Sequence, residues 1–279
     1  MEAQAHLQLR NVSMSPIKSL GNHSLPIIVT SPSRTTTTRH LKISASHPTA
    51  TSPKREKEAK KRVVITGVGL VSVFGNDVDI YYDRLLAGES GISFIDRFDA
   101  SNITTRFAGQ VRGFKSNGYI DSKIDRRLDD CHRYCIVAGK KALEDAALDG
   151  NQCSKIDKDR AGVLVGSVFG GGTVFTDNVE TMIMRGYHKV SPFAVPFTIT
   201  SMAPALLAID IGFSGPNYTI SAACATSNFC FCAAANHIRD GKADLMIAGG
   251  VESSVVPVSM GGFAACRALS RRNDDPHTA

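Results

Sequence analysis

Tryptophan is absent from the 279 residues, and no apolar run approaches the ~18 residues a membrane-spanning helix needs. The seven cysteines are odd in number and form no disulfide framework, which fits a reducing compartment. Acidic residues are nearly missing from the first 52 positions: Glu2 stands alone against Arg10, Lys18, Arg34, Arg39 and Lys42. The same stretch lacks an apolar core for a secretory signal and is rich in serine and threonine, including Thr35 to Thr38. That composition predicts an organelle transit peptide over 1–52, with a plain disordered tail as the alternative. Residues 53–61, in the segment PKREKEAKKR, read as a basic solvated linker. The leader holds five basic residues and one acidic one, so the formal charge falls from +6 to +2 without it. Elsewhere basic and acidic residues are interleaved, so no nucleic-acid footprint stands out. Residues 62–279 suffice for one large domain.

Phosphate and metal motifs are also missing. VVITGVG at Val63 to Gly69 opens like a dinucleotide-binding unit, but the next glycine is Gly75, so GxGxxG fails. A nucleotide-binding oxidoreductase is therefore the remotest reading. GSVFGGG at Gly166 to Gly172 lacks the GK(S/T) of a phosphate loop and reads as a tight turn after a strand. On a helix, Cys230 and Cys232 lie about 240° and 80° around from Cys224, so the three do not converge on one ion. Cys131 and Cys135 share a helix face, but two ligands make no zinc site. No metal is expected.

What is present alternates between strands and helices. Val63 to Thr66 reads as a buried strand. Val78, Tyr81, Tyr82, Leu85 and Leu86 fall on one helical face, with Asn76 or Asp77 as cap and Gly88 as stop. Asp129 to Leu148 is predicted helical, Gly162 to Val165 a strand, and Val174 to Arg185 a helix burying Phe175, Val179, Met182 and Ile183. Thr198 to Ile211 is predicted helical despite Pro204, and Leu245 to Ala248 a strand entering Gly249 and Gly250. The layout is α/β, with a central, largely buried sheet.

The chain is organised around GPNYTISAACATSNFCFCAAANHIR, Gly215 to Arg239. It reads as a strand, Asn217 to Ser221, a small-residue turn, and a long helix. Cys224 sits in the turn beside the helix N-terminus, where unpaired N–H groups and the helix dipole favour a thiolate. Two readings stand: a nucleophile that forms a thioester, or a buried structural cysteine.

GPNYTISAACATSNF resembles the active-site segment of the beta-ketoacyl-acyl-carrier-protein synthases, decarboxylating condensing enzymes of the thiolase superfamily, whose nucleophile lies in an (S/T)ACATS-type sequence. The likeness extends to KKRVVITGVGLVSVFGNDV, GESGIS, RFDAS, ADLMIAGGVES and GGFAACRALSRRNDDP. With RRLDDCHRYCIVAGKKALE, these are similar to the plastid type I enzymes of plants. The resemblance implies a thiolase-like layered α/β fold, a mixed sheet with helices on both faces, in a homodimer within the chloroplast stroma. Cys224 would take an acyl group from acyl-carrier protein. Malonyl-loaded carrier would then lose CO2, and its carbanion would attack the thioester, with no metal or organic cofactor. The cysteine's own N–H would supply half of an oxyanion hole.

The family's two catalytic histidines and supporting lysine belong to its C-terminal half. None of the eight histidines here lies in an HxT- or GHxxGA-like motif. His237 is 13 residues past Cys224, about 20 Å along one helix, too far to pair with it. The resemblance therefore covers an N-terminal half without the C-terminal domain. The expectation is a truncated sequence of a condensing enzyme, inactive in condensation as written. The alternative is a half-length, non-condensing protein that binds acyl-carrier protein or a full-length synthase. Without a second half, the cysteine helix should expose an apolar face.

Two departures from the family bear on substrate choice. Phe169 replaces a mid-sized aliphatic residue or Met, and Phe193-Ala194 replaces two phenylalanines. The resemblance places these positions in the acyl pocket, on opposite sides of the dimer interface. They read as a volume-conserving swap or as independent drift. The resemblance places Lys123 and Arg126, with Arg127 beside them, at the patch where the family docks its acidic carrier protein. The other reading is a solvated helix face paired with Asp121, Asp125, Asp129 and Asp130.

Overall fold

The computed structural model describes residues 62–279 apart from Asn117. The transit-peptide and linker expectations, 1–52 and 53–61, therefore fall outside the described residues. Helix α1 (Val78–Leu86) starts at Asp77, whose Oδ1 accepts the Ile80 amide, and stops before Gly88 at φ +70°. Strands β1 (Ile92–Phe94) and β2 (Phe107–Gly109) pair antiparallel. This small ribbon is strapped to the far end of the chain: Thr105 Oγ1 donates to the Ser270 carbonyl, and the Asn273 amide group bonds both Thr104 and Arg106.

A short helix α2 (Ser122–Asp125) leads into α3 (Asp130–Asp145), which Asp129 caps by accepting the Cys131 amide. Helix α4 (Gly150–Cys153) is one turn, followed by β3 (Ala161–Gly166) and α5 (Gly172–Arg185). Helices α6 (Ala194–Thr198) and α7 (Met202–Ile211) precede α8 (Thr226–Arg239), β4 (Leu245–Gly250) and α9 (Pro257–Ala265).

The sheet that matters is β3 with β4, parallel from Ala161–Leu245 to Gly166–Gly250. Every residue of β3 is buried, as expected of a parallel strand covered on both faces. One face belongs to α8: a Cβ on Gly166 would collide with Thr226 and touch Cys230 Sγ, so only glycine lets this helix so close. The other face presents Val163 and Val165 to a core with Cys131, Cys135 and Val137 of α3 and Leu207 of α7. Helices thus cover both faces, as the layered α/β expectation required.

Several local expectations are corrected. Val63 to Thr66 is not a buried strand: it joins no ladder, and Val64 and Ile65 are 58% and 81% exposed. Its glycines explain its course, since Gly67 and Gly69 lie flat against the α3 backbone at Ala142 and Ala138. Asn217 to Ser221 makes a single bridge to Val163 instead of a strand, and the Ile220 carbonyl lies over Gly166. Of the predicted 198–211 helix, α7 covers 202–211, and Thr198 instead closes the separate helix α6. Pro204 is tolerated in the first turn of α7, where its missing N–H would have no intrahelical partner. In α5, Phe175, Met182 and Ile183 are exposed, and Phe175 and Ile183 line a shallow groove with Val258. Helix α8 does expose apolar side chains, Phe229 and Phe231.

Candidate active site

Three turns meet at the C-terminal ends of the parallel strands, where open α/β sheets bind ligands. Ser167 to Gly171 follows β3, Val251 to Ser254 follows β4, and Ala222 to Ala225 precedes α8. Between them lies a cavity of about 390 Å³, lined by Cys224, Ala223, Thr226, Ser227, Gly166 to Phe169, Gly250 to Glu252, Ser254 and Phe263.

Cys224 is the exposed centre of a 3₁₀ turn. Ala223 before it adopts φ +47°, an uncommon conformation for a residue with a Cβ. Thr226 Oγ1 accepts the Ala222 amide across this turn at 2.8 Å. No side chain caps α8, whose N-terminus with its unpaired amides follows Cys224 by one residue in the chain. Cys224 is not buried among the described residues. Three other cysteines do fit the reading of a buried structural residue. Burial pushes the thiol of Cys135 up to about 12 and raises those of Cys131 and Cys230.

Phe169 reaches the same cavity, where its ring meets that of Phe263 edge-on at 6.2 Å. Phe263 escaped sequence reasoning, although it stands in the GGFAACRALS segment that carried the resemblance. The glycine-rich turn behaves as a turn: Gly170 has φ +57°, and a Cβ on Gly171 would strike the Phe197 carbonyl. Phe193 and Ala194, at the start of α6, do not line this cavity. Phe193 stacks on Phe197 at 5.3 Å and lies under Arg127 at 5.7 Å.

Lys123, Arg126 and Arg127 make no ion pair with a described residue. The aspartates expected to neutralise them are engaged elsewhere. Asp125 bonds Arg133, Asp130 bonds Arg97 and Arg133, and Asp129 is buried. Asp121 Oδ1 accepts the Lys123 backbone amide.

His237 bonds Tyr218 at 2.9 Å. His132 is fully buried against Phe197, its ring nitrogens without a partner among the described residues, and burial lowers its pKa. Among the described residues, no cluster of three or more His, Cys, Asp or Glu side chains is placed to hold a metal, and no helix is long and apolar enough to cross a membrane.

The chain is 59% identical over all its 279 residues to "3-oxoacyl-[acyl-carrier-protein] synthase I, chloroplastic" of Arabidopsis thaliana, and covers 59% of that protein. A beta-ketoacyl synthase from Burkholderia phymatum superposes with a TM-score of 0.70 at 29% identity, over 78% of this chain and 53% of that one. The AntDE:AntF assembly, a type II PKS acyl-carrier protein in complex with its ketosynthase bound to the hexaketide, matches with a TM-score of 0.64 at 26% identity. That match covers 76% of this chain and 56% of that one. The chain thus spans somewhat more than half the length of these relatives. Residues 60–279 match "Beta-ketoacyl synthase, N-terminal domain", and the chain belongs to the beta-ketoacyl synthase family.

Proposed function

We propose that Cys224 is the nucleophile of a 3-oxoacyl-[acyl-carrier-protein] synthase of plastid fatty acid biosynthesis. The observation that carries this is the exposed thiol at the N-terminus of α8, in a cavity shared with Phe169. The thiolate attacks the carbonyl of an acyl thioester, the carrier's thiol departs, and the acyl group stays on Sγ. The negative oxygen of the tetrahedral intermediate is held by backbone N–H groups, that of Cys224 among them. The acyl chain extends toward Phe169.

Acyl transfer is the half-reaction these residues support. Condensation with malonyl-carrier protein uses two histidines and a lysine in this family, and their motifs do not occur in this sequence. Lys123, Arg126 and Arg127 receive the acidic carrier protein, acyl-loaded and later malonyl-loaded. Their lack of ion-pair partners among the described residues supports this. Phe193 and Ala194 serve the acyl pocket across a homodimer interface, and residues 1–52 direct the protein to the plastid stroma.

A second reading has its own observation. The exposed Phe229 and Phe231 of α8 suit a chain that covers itself with a full-length synthase and does not condense. Intact mass after incubation with acyl-loaded carrier protein separates the two. One acyl adduct, lost in Cys224→Ala, supports the nucleophile. An unmodified chain that still binds the synthase supports the second reading.

A further inference from the structure

Two carboxylates bracket the turn that carries Phe169 to Cys224. At its start, Glu252 Oε2 accepts the amides of Val168 at 2.9 Å and Phe169 at 3.3 Å. At its end, Asp129 Oδ2 accepts the amide of Val174 at 3.0 Å. Ser253, the residue after Glu252, donates its hydroxyl to Asp129 Oδ1 at 2.9 Å. Consecutive residues leaving β4 thus tie both ends of a turn that lies some 84 positions earlier in the chain. Hydrogen bonds to a carboxylate are roughly twice as strong as neutral ones. Inside the turn, the Gly170 amide donates to Ser167 Oγ, and the Val251 amide donates to the Gly166 carbonyl.

Glu252 makes no hydrogen bond to Cys224 and does not replace any part of the nucleophile's chemistry. It reaches the backbone that presents the Phe169 ring, which the ring of Phe263 meets edge-on. We propose that Glu252 is a positioning residue for the acyl pocket. By holding the Val168 and Phe169 amides, it sets the depth between the Phe169 ring and Cys224, and so the acyl length accepted. The proposal rests on Cys224 as the acyl-accepting nucleophile. One methylene in an apolar pocket changes discrimination by roughly ten- to 200-fold, so even a small displacement of this turn is readable. If Glu252 only braced the fold, its loss would lower stability and leave length preference alone.

The test is the rate at which Cys224 is acylated by pantetheine thioesters from butanoyl to hexadecanoyl, followed by intact mass, with thermal unfolding in parallel. Glu252→Ala should flatten the ratio of best to worst substrate by about tenfold. Glu252→Gln keeps an acceptor oxygen and should preserve the ratio within about threefold. Phe169→Ala should flatten the profile by itself, and adding Glu252→Ala to it should change nothing more, because the effect runs through Phe169. A wild-type profile in Glu252→Ala, equal losses in the Ala and Gln variants, or independent addition with Phe169→Ala overturns the proposal. Should Glu252→Ala not fold, Glu252→Asp, one methylene too short to reach both amides, replaces it. Absence of acylation in the unsubstituted chain would refute the nucleophile reading instead. Glu252 is then judged by the same criteria with alkyl maleimides of matching lengths, which need only the thiol.

Discussion

The guanidinium of Arg127 lies 5.7 Å above the ring of Phe193. A residue expected at the carrier dock thus rests on one expected at the acyl pocket. Cation–π contacts at exposed sites contribute about 0.5–1 kcal/mol, so this one links the two places without holding the fold. Arg127→Glu should slow acylation of Cys224 by carrier-bound substrate about tenfold at low salt and weaken its salt dependence. Acylation from a pantetheine thioester should be unchanged. Rates measured across ionic strength check this, and an unaltered salt slope would leave the patch a solvated helix face.

Phe169 lines the Cys224 cavity and Ala194 does not. The compensating swap would couple them across the proposed dimer interface. Phe169→Met and Ala194→Phe should therefore change acyl-length preference independently in a monomer and non-additively in a dimeric synthase that carries both halves. Additive changes in the dimer would show that the two substitutions are not a compensating swap.

His132 is expected to make the fold acid-sensitive. Burial lowers its folded-state pKa from the ordinary 6.5, while the nearby Asp129 opposes the shift. Below about pH 6.5 the unfolded chain binds a proton that the folded chain resists, so stability is full above that pH and falls as pH drops. His132→Leu removes both the titration and two unpartnered nitrogens. It should flatten the urea midpoint between about pH 7 and pH 5, and raise stability near neutrality by about 1 kcal/mol. An unchanged slope with pH would assign the acid sensitivity to other groups.

Two glycines should respond to alanine with opposite signs. At Gly171 the new Cβ meets the Phe197 backbone carbonyl, which cannot swing aside, so Gly171→Ala should cost about 2 kcal/mol or more. Gly261 lies inside α9 with open space around it, so Gly261→Ala should stabilise by about 0.5–1 kcal/mol. Chemical denaturation of both variants checks the contrast.

Much of the site was legible because its signals are local. Asp77 and Asp129 each cap a helix within three residues of themselves. Small residues around Cys224 and the helix behind it announce an approachable thiol, and β3 shows its burial in an unbroken apolar run. Exposure was less legible. The apolar stripe of α5 has burial spacing, yet Phe175 and Ile183 face outward, because periodicity marks a face without saying what covers it. Val63 to Thr66 has the residues of a strand, but strand formation needs a neighbour in register.

The sequence by itself determined the family, the nucleophile candidate, the strands β3 and β4 and the long helices α1, α3, α5 and α8, since each rests on residues adjacent in the chain or one helical turn apart. Only the tertiary structure decided that Glu252 and Asp129 clasp the Phe169 turn, and that Arg127 lies on Phe193. Those contacts join residues 45 to 84 positions apart at the turn and 66 apart at the dock. Such pairings arise from how β3, β4 and the helices pack, and no local pattern of residue types encodes them.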